Sequence, residues 1–322
     1  MQALYDVVVI GGGPAGLSAA LYTVRYGLKT IVVTKVPGGR IVEAPIVENY
    51  LGMPNVSGLE LAKRFVDHVR SFGVDIVIDE VVEVKRSNSK FVVATKSGKK
   101  MECYALILAV GGDKKRLGVP GEDKFLGKGV SYCATCDAPL YKGRRVAVVG
   151  GGDSAMIAAI HLAGFAREVY LVHRRRELRA LPRYVEIARQ RGVKFLLGYV
   201  VKEIVGDDRV RGVRLREVST GREEVLEVDG VFIEIGIEYP RQMFEMLGIE
   251  VDEHGRAMVK PDMSTNIPGI FVAGSAAGGP NKFYLDQVVT AVAEGAIAAT
   301  SAFNYITSLK SRLGTDQDFS SP

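Results

Sequence analysis

Two glycine-rich fingerprints, each lying between a strand-like apolar run and a helical stretch, predict an α/β protein of two Rossmann-like dinucleotide-binding domains, the second inserted into the first. The length agrees. At 322 residues the chain exceeds the size at which single cores usually stop growing, so two domains are expected.

The first copy opens with the apolar run Val7 to Ile10, continues through Gly11-Gly12-Gly13-Pro14-Ala15-Gly16, and runs into a helical stretch from Leu17 to Tyr26 that closes at Gly27. A second strand follows from Lys29 to Val33, completing a βαβ unit. The pattern returns with strand Arg145 to Val149, the turn Gly150-Gly151-Gly152-Asp153-Ser154-Ala155, a helix through Leu162 and a strand from Glu168. Both copies match G-x-G-x-x-G/A. The first glycine permits a tight turn, the second lets backbone approach a pyrophosphate, and the small third residue lets helix and strand pack closely. The phosphates then meet the free N–H groups of a helix N-terminus.

Between the copies, Glu102 to Gly112 reads as a buried strand entering a glycine turn, and Gly269 to Gly274 reads as a similar strand near the other end. A helix of small residues is expected from about Gln287 to Tyr305, and the polar stretch from Ser308 to Pro322 is expected to be poorly ordered or a surface extension. These elements give a discontinuous first domain, residues 1–115 and 243–322, around a second domain of residues 116–242.

Composition narrows the class. Apolar residues make up 47% and charged residues 25%, which excludes a disordered or collagen-like chain. No run of eighteen apolar residues occurs and the N-terminus enters a strand directly, so no membrane partner is expected and the expected compartment is cytoplasmic. The net charge of +5 is spread among acidic residues without a recognition motif, so no nucleic-acid partner is expected.

Three cysteines are too few for a disulfide framework. Cys133 and Cys136 form a C-x-x-C pair suited to dithiol exchange, because a turned backbone brings two sulfurs together and N–H dipoles lower the leading thiol's pKa. Half a zinc site is the other reading, but no second pair completes four ligands, so no metal is expected. Cys103 lies in an apolar strand and reads as an inert core thiol. His173-Arg174-Arg175 begins about twenty residues after Gly152, where a Rossmann unit reads the ribose, and arginines there suit a 2′-phosphate. Arg179 stands close enough to join that cluster, a solvated basic turn being the alternative; His173 reads as a scaffold or ribose neighbour.

Cys133-Ala134-Thr135-Cys136-Asp137, followed by the second glycine turn and His173-Arg174-Arg175, resembles the low-molecular-weight thioredoxin reductases of bacteria and archaea. Further matches are the Pro37-Gly38-Gly39 turn, Val47-Glu48-Asn49, Gly118-Val119-Pro120-Gly121 and the Gly269 to Gly274 strand, in the order that family has them. The resemblance implies a homodimeric enzyme that reduces thioredoxin or a thioredoxin-like protein with NADPH through FAD. FAD would contact Gly11, Gly13, Pro14, Ala15, Gly16, Gly39, Arg40, Asn49, Gly111, Gly274, Ser275, Gln287 and Val288. NADPH would contact Gly152, Asp153, Ser154, His173, Arg174, Arg175, Arg179 and Ile235. Cys136 would lie beside the flavin, Cys133 would attack the substrate disulfide, and Asp137 would protonate the departing thiolate; an N-cap aspartate is the structural alternative at Asp137.

The chain departs from the family pattern at several places. Thr34-Lys35 stands where an acid often holds the FAD ribose, Arg40 where a glutamine follows the glycine pair, and Ser275 where an aspartate follows Gly274. Asp286 replaces an arginine before Gln287, and Ile237 a histidine after Gly236. Two other functions share the fold: a reductase of a glutaredoxin-like disulfide oxidoreductase using another donor, and a redox-sensing flavoprotein with little turnover. The disulfide and the nicotinamide site fall on one domain, so they are expected to take turns at the flavin by domain rotation, with hinges at 111–118 and 235–241.

Overall fold

A computed structural model describes residues 3–44, 46–280, 282 and 284–313. The chain divides into two compact units, the first formed by Met1–Gly112 with Tyr239–Pro322 and the second by Asp113–Glu238. The divisions thus fall within the two stretches named as hinges, and three to four residues before the boundaries drawn at 115 and 242.

In the first unit, β1 (Ala3–Ile10), α1 (Pro14–Arg25) and β2 (Thr30–Thr34) form the expected βαβ unit, with β1 and β2 parallel. Val7, Val8 and Val9 are fully buried, as strands covered on both faces require. Helix α2 (Gly58–Ser71) starts at Ser57, whose Oγ accepts the Glu60 N–H at 3.2 Å, and leads to β3 (Asp75–Ile78). A meander of β4 (Val81–Ser87), β5 (Lys90–Thr95) and β6 (Lys100–Leu108) then returns to the sheet beside β1.

The second unit begins with the short β7 (Asp113–Lys114) and β8 (Val130–Ser131), then α3 (Ala134–Asp137), which carries the C-x-x-C. Next come β9 (Arg145–Val149), α4 (Asp153–Leu162), β10 (Glu168–His173), α5 (Pro182–Gln190) and β11 (Lys194–Leu197). An antiparallel meander, β12 (Tyr199–Gly206), β13 (Val210–Glu217) and β14 (Glu223–Glu227), precedes β15 (Gly230–Ile233) and β16 (Ile237–Glu238). The parallel sheet runs β11-β10-β9-β15-β8. Alternation along β9 divides its two faces: Val146 and Val148 pack with Met156, Ala159 and Leu162 of α4, while Ala147 and Val149 pack with Val213 and Leu215 of the meander.

The chain re-enters the first unit through α6 (Arg241–Met246), β17 (Ala257–Met258), β18 (Ile270–Val272), β19 (Ala277–Gly278) and α7 (Val288–Leu313). Strand β18 pairs parallel with β6, which places two remote segments side by side in one sheet of order β3-β2-β1-β6-β5-β4. Gly295 of α7 lies so close to α1 that a Cβ there would stand 2.1 Å from the Ala15 carbonyl oxygen.

The expectation for the C-terminal stretch is corrected in part. Helix α7 continues through Ser308 to Leu313, held by an ion pair from Lys310 to Asp6 at 2.8 Å and a hydrogen bond from Arg312 to the Ser308 carbonyl. Residues 314–322 lie outside the described residues. Among the described residues no helix is long and apolar enough to cross a membrane.

Candidate active site

In the first unit the glycine turn after β1 is a cradle with no room for side chains. Gly11 has φ +109°, a conformation that favours glycine, and a Cβ on Gly16 would stand 1.9 Å from the Gly11 carbonyl oxygen. Helix α1 begins at Gly13 without a side-chain cap, so the first-turn N–H groups are open to an anion. The second glycine turn closes on the first: Gly38 donates to the Gly12 carbonyl at 2.8 Å, and a Cβ on Gly39 would meet Gly13 Cα at 2.8 Å. Such a cradle suits the pyrophosphate of FAD. Gly16→Ala is accordingly expected to cost about 1–3 kcal/mol through the clash with Gly11 and to lower FAD retention. Thermal denaturation with flavin quantitation checks this.

The remaining residues expected to contact FAD lie in the same unit. Asn49 Nδ2 donates to Gln287 Oε1 at 2.9 Å, although 238 residues separate them. Val288 packs on the cluster of Ile41, Val47 and Val56 beside them. Arg40 donates to the Gly112 carbonyl, next to Gly111, which has φ +63°. Gly274 approaches the α1 cradle, with a Cβ there 3.1 Å from Ala15 Cβ, and half-buried Ser275 follows it.

Two departures from the family pattern acquire local explanations. Where the family has an acid after the second strand, the Lys35 ammonium pairs with Glu80 at 2.6 Å on the surface. Where it has an aspartate after Gly274, the loop is held otherwise: Glu294 accepts the Gly274 N–H at 2.8 Å, and Lys282 bonds both Glu294 and the Gly274 carbonyl. The Lys282 side chain is only 6% exposed, so this pair is part of the interior. Nothing in the local sequence pattern announced it.

In the second unit Cys133 and Cys136 form a disulfide, with Cα atoms 5.3 Å apart. Cys133 caps α3, its Sγ accepting the Cys136 N–H at 3.2 Å. Thus an N–H dipole points at the leading sulfur, as thiolate stabilisation requires. Ala134 and Ala138 anchor the turn against Met156 and Ala155 of α4.

Asp137 is 7% exposed and ends the same helical turn. Burial pushes its carboxyl above the ordinary aspartate pKa, opposed by a hydrogen bond from Ser131. Its Oδ1 has no hydrogen-bond partner among the described residues. Although Asp137 precedes the 3-10 turn Ala138–Tyr141, its side chain makes no capping bond, which removes the N-cap alternative. Ser131, 5% exposed, also accepts the Cys133 N–H at 3.0 Å and so ties the backbone of the leading cysteine to the acid. The sequence reading missed Ser131; its place two residues before the C-x-x-C was the available signal.

The second glycine turn is equally tight. A Cβ on Gly150 would stand 2.2 Å from the Glu234 carbonyl oxygen, and one on Gly151 would meet the His173 ring at 2.3 Å, whereas Gly152 faces open space. Helix α4 starts at Gly152 without a side-chain cap. Asp153 is occupied in accepting the Leu181 N–H at 2.7 Å, with Ser154 next along the first turn. Buried His173 has no partner for Nε2 among the described residues, and burial followed by the charges of Arg179, Arg174 and Arg175 lowers its pKa. A neutral ring packed on the turn is the scaffold expected of it. Arg179 also donates its N–H to the Gly151 carbonyl at 2.8 Å. Arg174 and Arg175 are exposed, and Ile235 packs half-buried at the end of β15. Cys103 is fully buried, and burial pushes its thiol up to about 12, as an inert core thiol requires.

Two dinucleotide folds and a cysteine disulfide followed by a buried carboxyl define a disulfide oxidoreductase. Residues 5–295 match the pyridine nucleotide-disulphide oxidoreductases. The chain is 39% identical to the thioredoxin reductase of Bacillus subtilis over 98% of both chains, and 38% identical to that of Listeria innocua over 97% of both. The crystal structure of thioredoxin reductase from Streptococcus pyogenes superposes with a TM-score of 0.86 at 37% identity, covering 96% of this chain and all of that one. The chain belongs to the pyridine nucleotide-disulphide oxidoreductase family.

Proposed function

We propose that this chain is an FAD-dependent reductase that passes electrons from NADPH to the Cys133–Cys136 disulfide and then to thioredoxin or a thioredoxin-like protein. The observation that carries the reading is the disulfide on a helical turn ending in Asp137, a buried carboxyl with an unpartnered oxygen. Its similarity to thioredoxin reductases along nearly its whole length supports the same partner. The first unit supplies the FAD cradle and the second the NADPH turn. FAD, when bound, accepts two electrons as hydride and relays them to a disulfide.

What the chain's own residues do follows from their placement. Reduction opens the Cys133–Cys136 bond to a dithiol. The Cys133 thiolate, favoured by the Cys136 N–H, attacks one sulfur of the substrate disulfide, and the substrate's other sulfur leaves as a thiolate. Asp137 gives that thiolate its proton. Cys136 then attacks Cys133 in the mixed disulfide, re-forming the internal disulfide and releasing the reduced substrate. One NADPH and one proton are consumed for each disulfide reduced to two thiols. The chain is proposed to act as a homodimer in the cytoplasm.

Bleaching of the flavin absorption by NADPH, followed by NADPH-dependent reduction of thioredoxin, tests the reading; a flavin that NADPH leaves oxidised refutes it. NADPH is expected to be preferred over NADH through Arg174 and Arg175. Each exposed guanidinium–phosphate contact contributes about 1.5 kcal/mol, so replacing both with alanine is expected to raise the NADPH constant about a hundredfold and leave the NADH constant nearly unchanged. Steady-state titration with both nucleotides checks this.

A further inference from the structure

The carboxyl end of β10 faces a cavity of about 780 Å³ within the second unit. Its walls come from two sources. Arg174 and Arg175 follow His173 at the end of the strand, while the meander contributes Arg216, Glu223 and an apolar wall of Val200 and Val218. Backbone pairing fixes this arrangement: Gly198 donates to the His173 carbonyl at 2.8 Å, and Val218 donates to the Gly198 carbonyl at 2.8 Å. Arg216 lies on β13 opposite Glu223 of β14.

Among the described residues the ion pairs of this unit engage Lys114, Arg116, Arg144, Arg145, Lys194 and Arg214, and none joins Arg174, Arg175 or Arg216 to a carboxylate. Three guanidinium groups therefore line one cavity with a single acid, Glu223, among them. An unneutralised cluster of this kind is a site for a multiply charged anion, and guanidinium geometry suits a phosphate. Ligands of open α/β sheets bind at the carboxyl ends of the strands, where this cavity lies. Arg179 does not line it.

We infer that Arg216 is a specificity-determining residue for the 2′-phosphate of NADPH, holding it from the meander side while Arg174 and Arg175 hold it from the end of β10. This rests on the reading of the second unit as the NADPH site. Arg179 then serves at the glycine turn through its bond to Gly151, with its charge beside His173. Glu223 weakens the site and sets how tightly NADPH is held.

Dissociation constants for NADPH, NADH and 2′,5′-ADP, measured by calorimetry on the FAD-loaded wild type, R216A, R216K, R174A and E223Q, test the assignment. R216A is expected to weaken NADPH and 2′,5′-ADP about tenfold and to leave NADH within twofold, which also reports an intact fold. R216K retains part of the affinity, because a point charge replaces a fork. E223Q tightens NADPH by about twofold to fivefold. If R174A loses the preference for NADPH while R216A keeps it, or if R216A weakens both nucleotides equally, the assignment of Arg216 is overturned. A wild type that holds NADPH no better than NADH overturns the NADPH reading and this assignment with it.

Discussion

Serine at either Cys133 or Cys136 is expected to abolish thioredoxin reduction, by a factor on the order of 10⁴ or more, while FAD stays bound. The two sulfurs form one disulfide, so removing either removes the whole redox unit. FAD retention follows from the division of the chain: the glycine cradle lies in the first unit and both cysteines in the second. The two variants also differ spectroscopically. If Cys136 is the flavin-proximal sulfur, Cys133→Ser leaves a thiolate next to the oxidised ring and shows a long-wavelength charge-transfer band that Cys136→Ser lacks. A band in Cys136→Ser instead reverses the roles of the two cysteines. Residual turnover in either variant at a tenth of wild type would reject the disulfide as the electron carrier.

The second large effect is expected at Asp137. Removing a general acid costs about 10²- to 10⁴-fold in rate, so Asp137→Asn is expected to slow thioredoxin reduction within that range. Burial raises the Asp137 pKa above the ordinary value of about 3.9, so folding favours the protonated carboxyl. A raised folded pKa contributes stability that is complete below about pH 3.9 and lost as pH rises through the folded value. Asparagine carries no charge. Asp137→Asn is therefore expected to melt higher than wild type at pH 8, with the difference vanishing toward pH 4. Thermal denaturation at the two pH values, with a pH–rate profile whose alkaline limb flattens in the variant, checks both halves. Unchanged turnover together with equal destabilisation at every pH would leave Asp137 a packing residue only.

These effects sit at positions the sequence already exposed. Strand, glycine turn and helix are contiguous, so both fingerprints could be read with their mechanism: the lack of a Cβ at Gly16 and Gly150 is a local necessity, since one would strike the Gly11 carbonyl oxygen and the other Ala155 Cβ. The C-x-x-C spacing places two sulfurs on one helical turn, and the paired arginines stand a fixed interval beyond the second fingerprint. Helix α7 was legible by its small residues but not in its end, since the Lys310–Asp6 pair that extends the contact surface joins opposite ends of the chain.

What the chain alone determined is thus what short-range geometry dictates: two nucleotide turns, a redox cysteine pair, a basic ribose position and an insertion between halves of one domain. Tertiary structure decided the rest. Asn49 meets Gln287 only because β18 returns to lie beside β6, and Lys282 with Glu294 supports the Gly274 loop only once α7 packs on α1. Ser131 comes beside Asp137 through the backbone turn at Cys133, whose N–H it accepts. Arg216 comes beside Arg174 and Arg175 only because the β12–β14 meander docks on the end of β10. Residues far apart in sequence carry no mutual periodicity, so their encounter is set by strand pairing and burial, which a linear pattern does not encode.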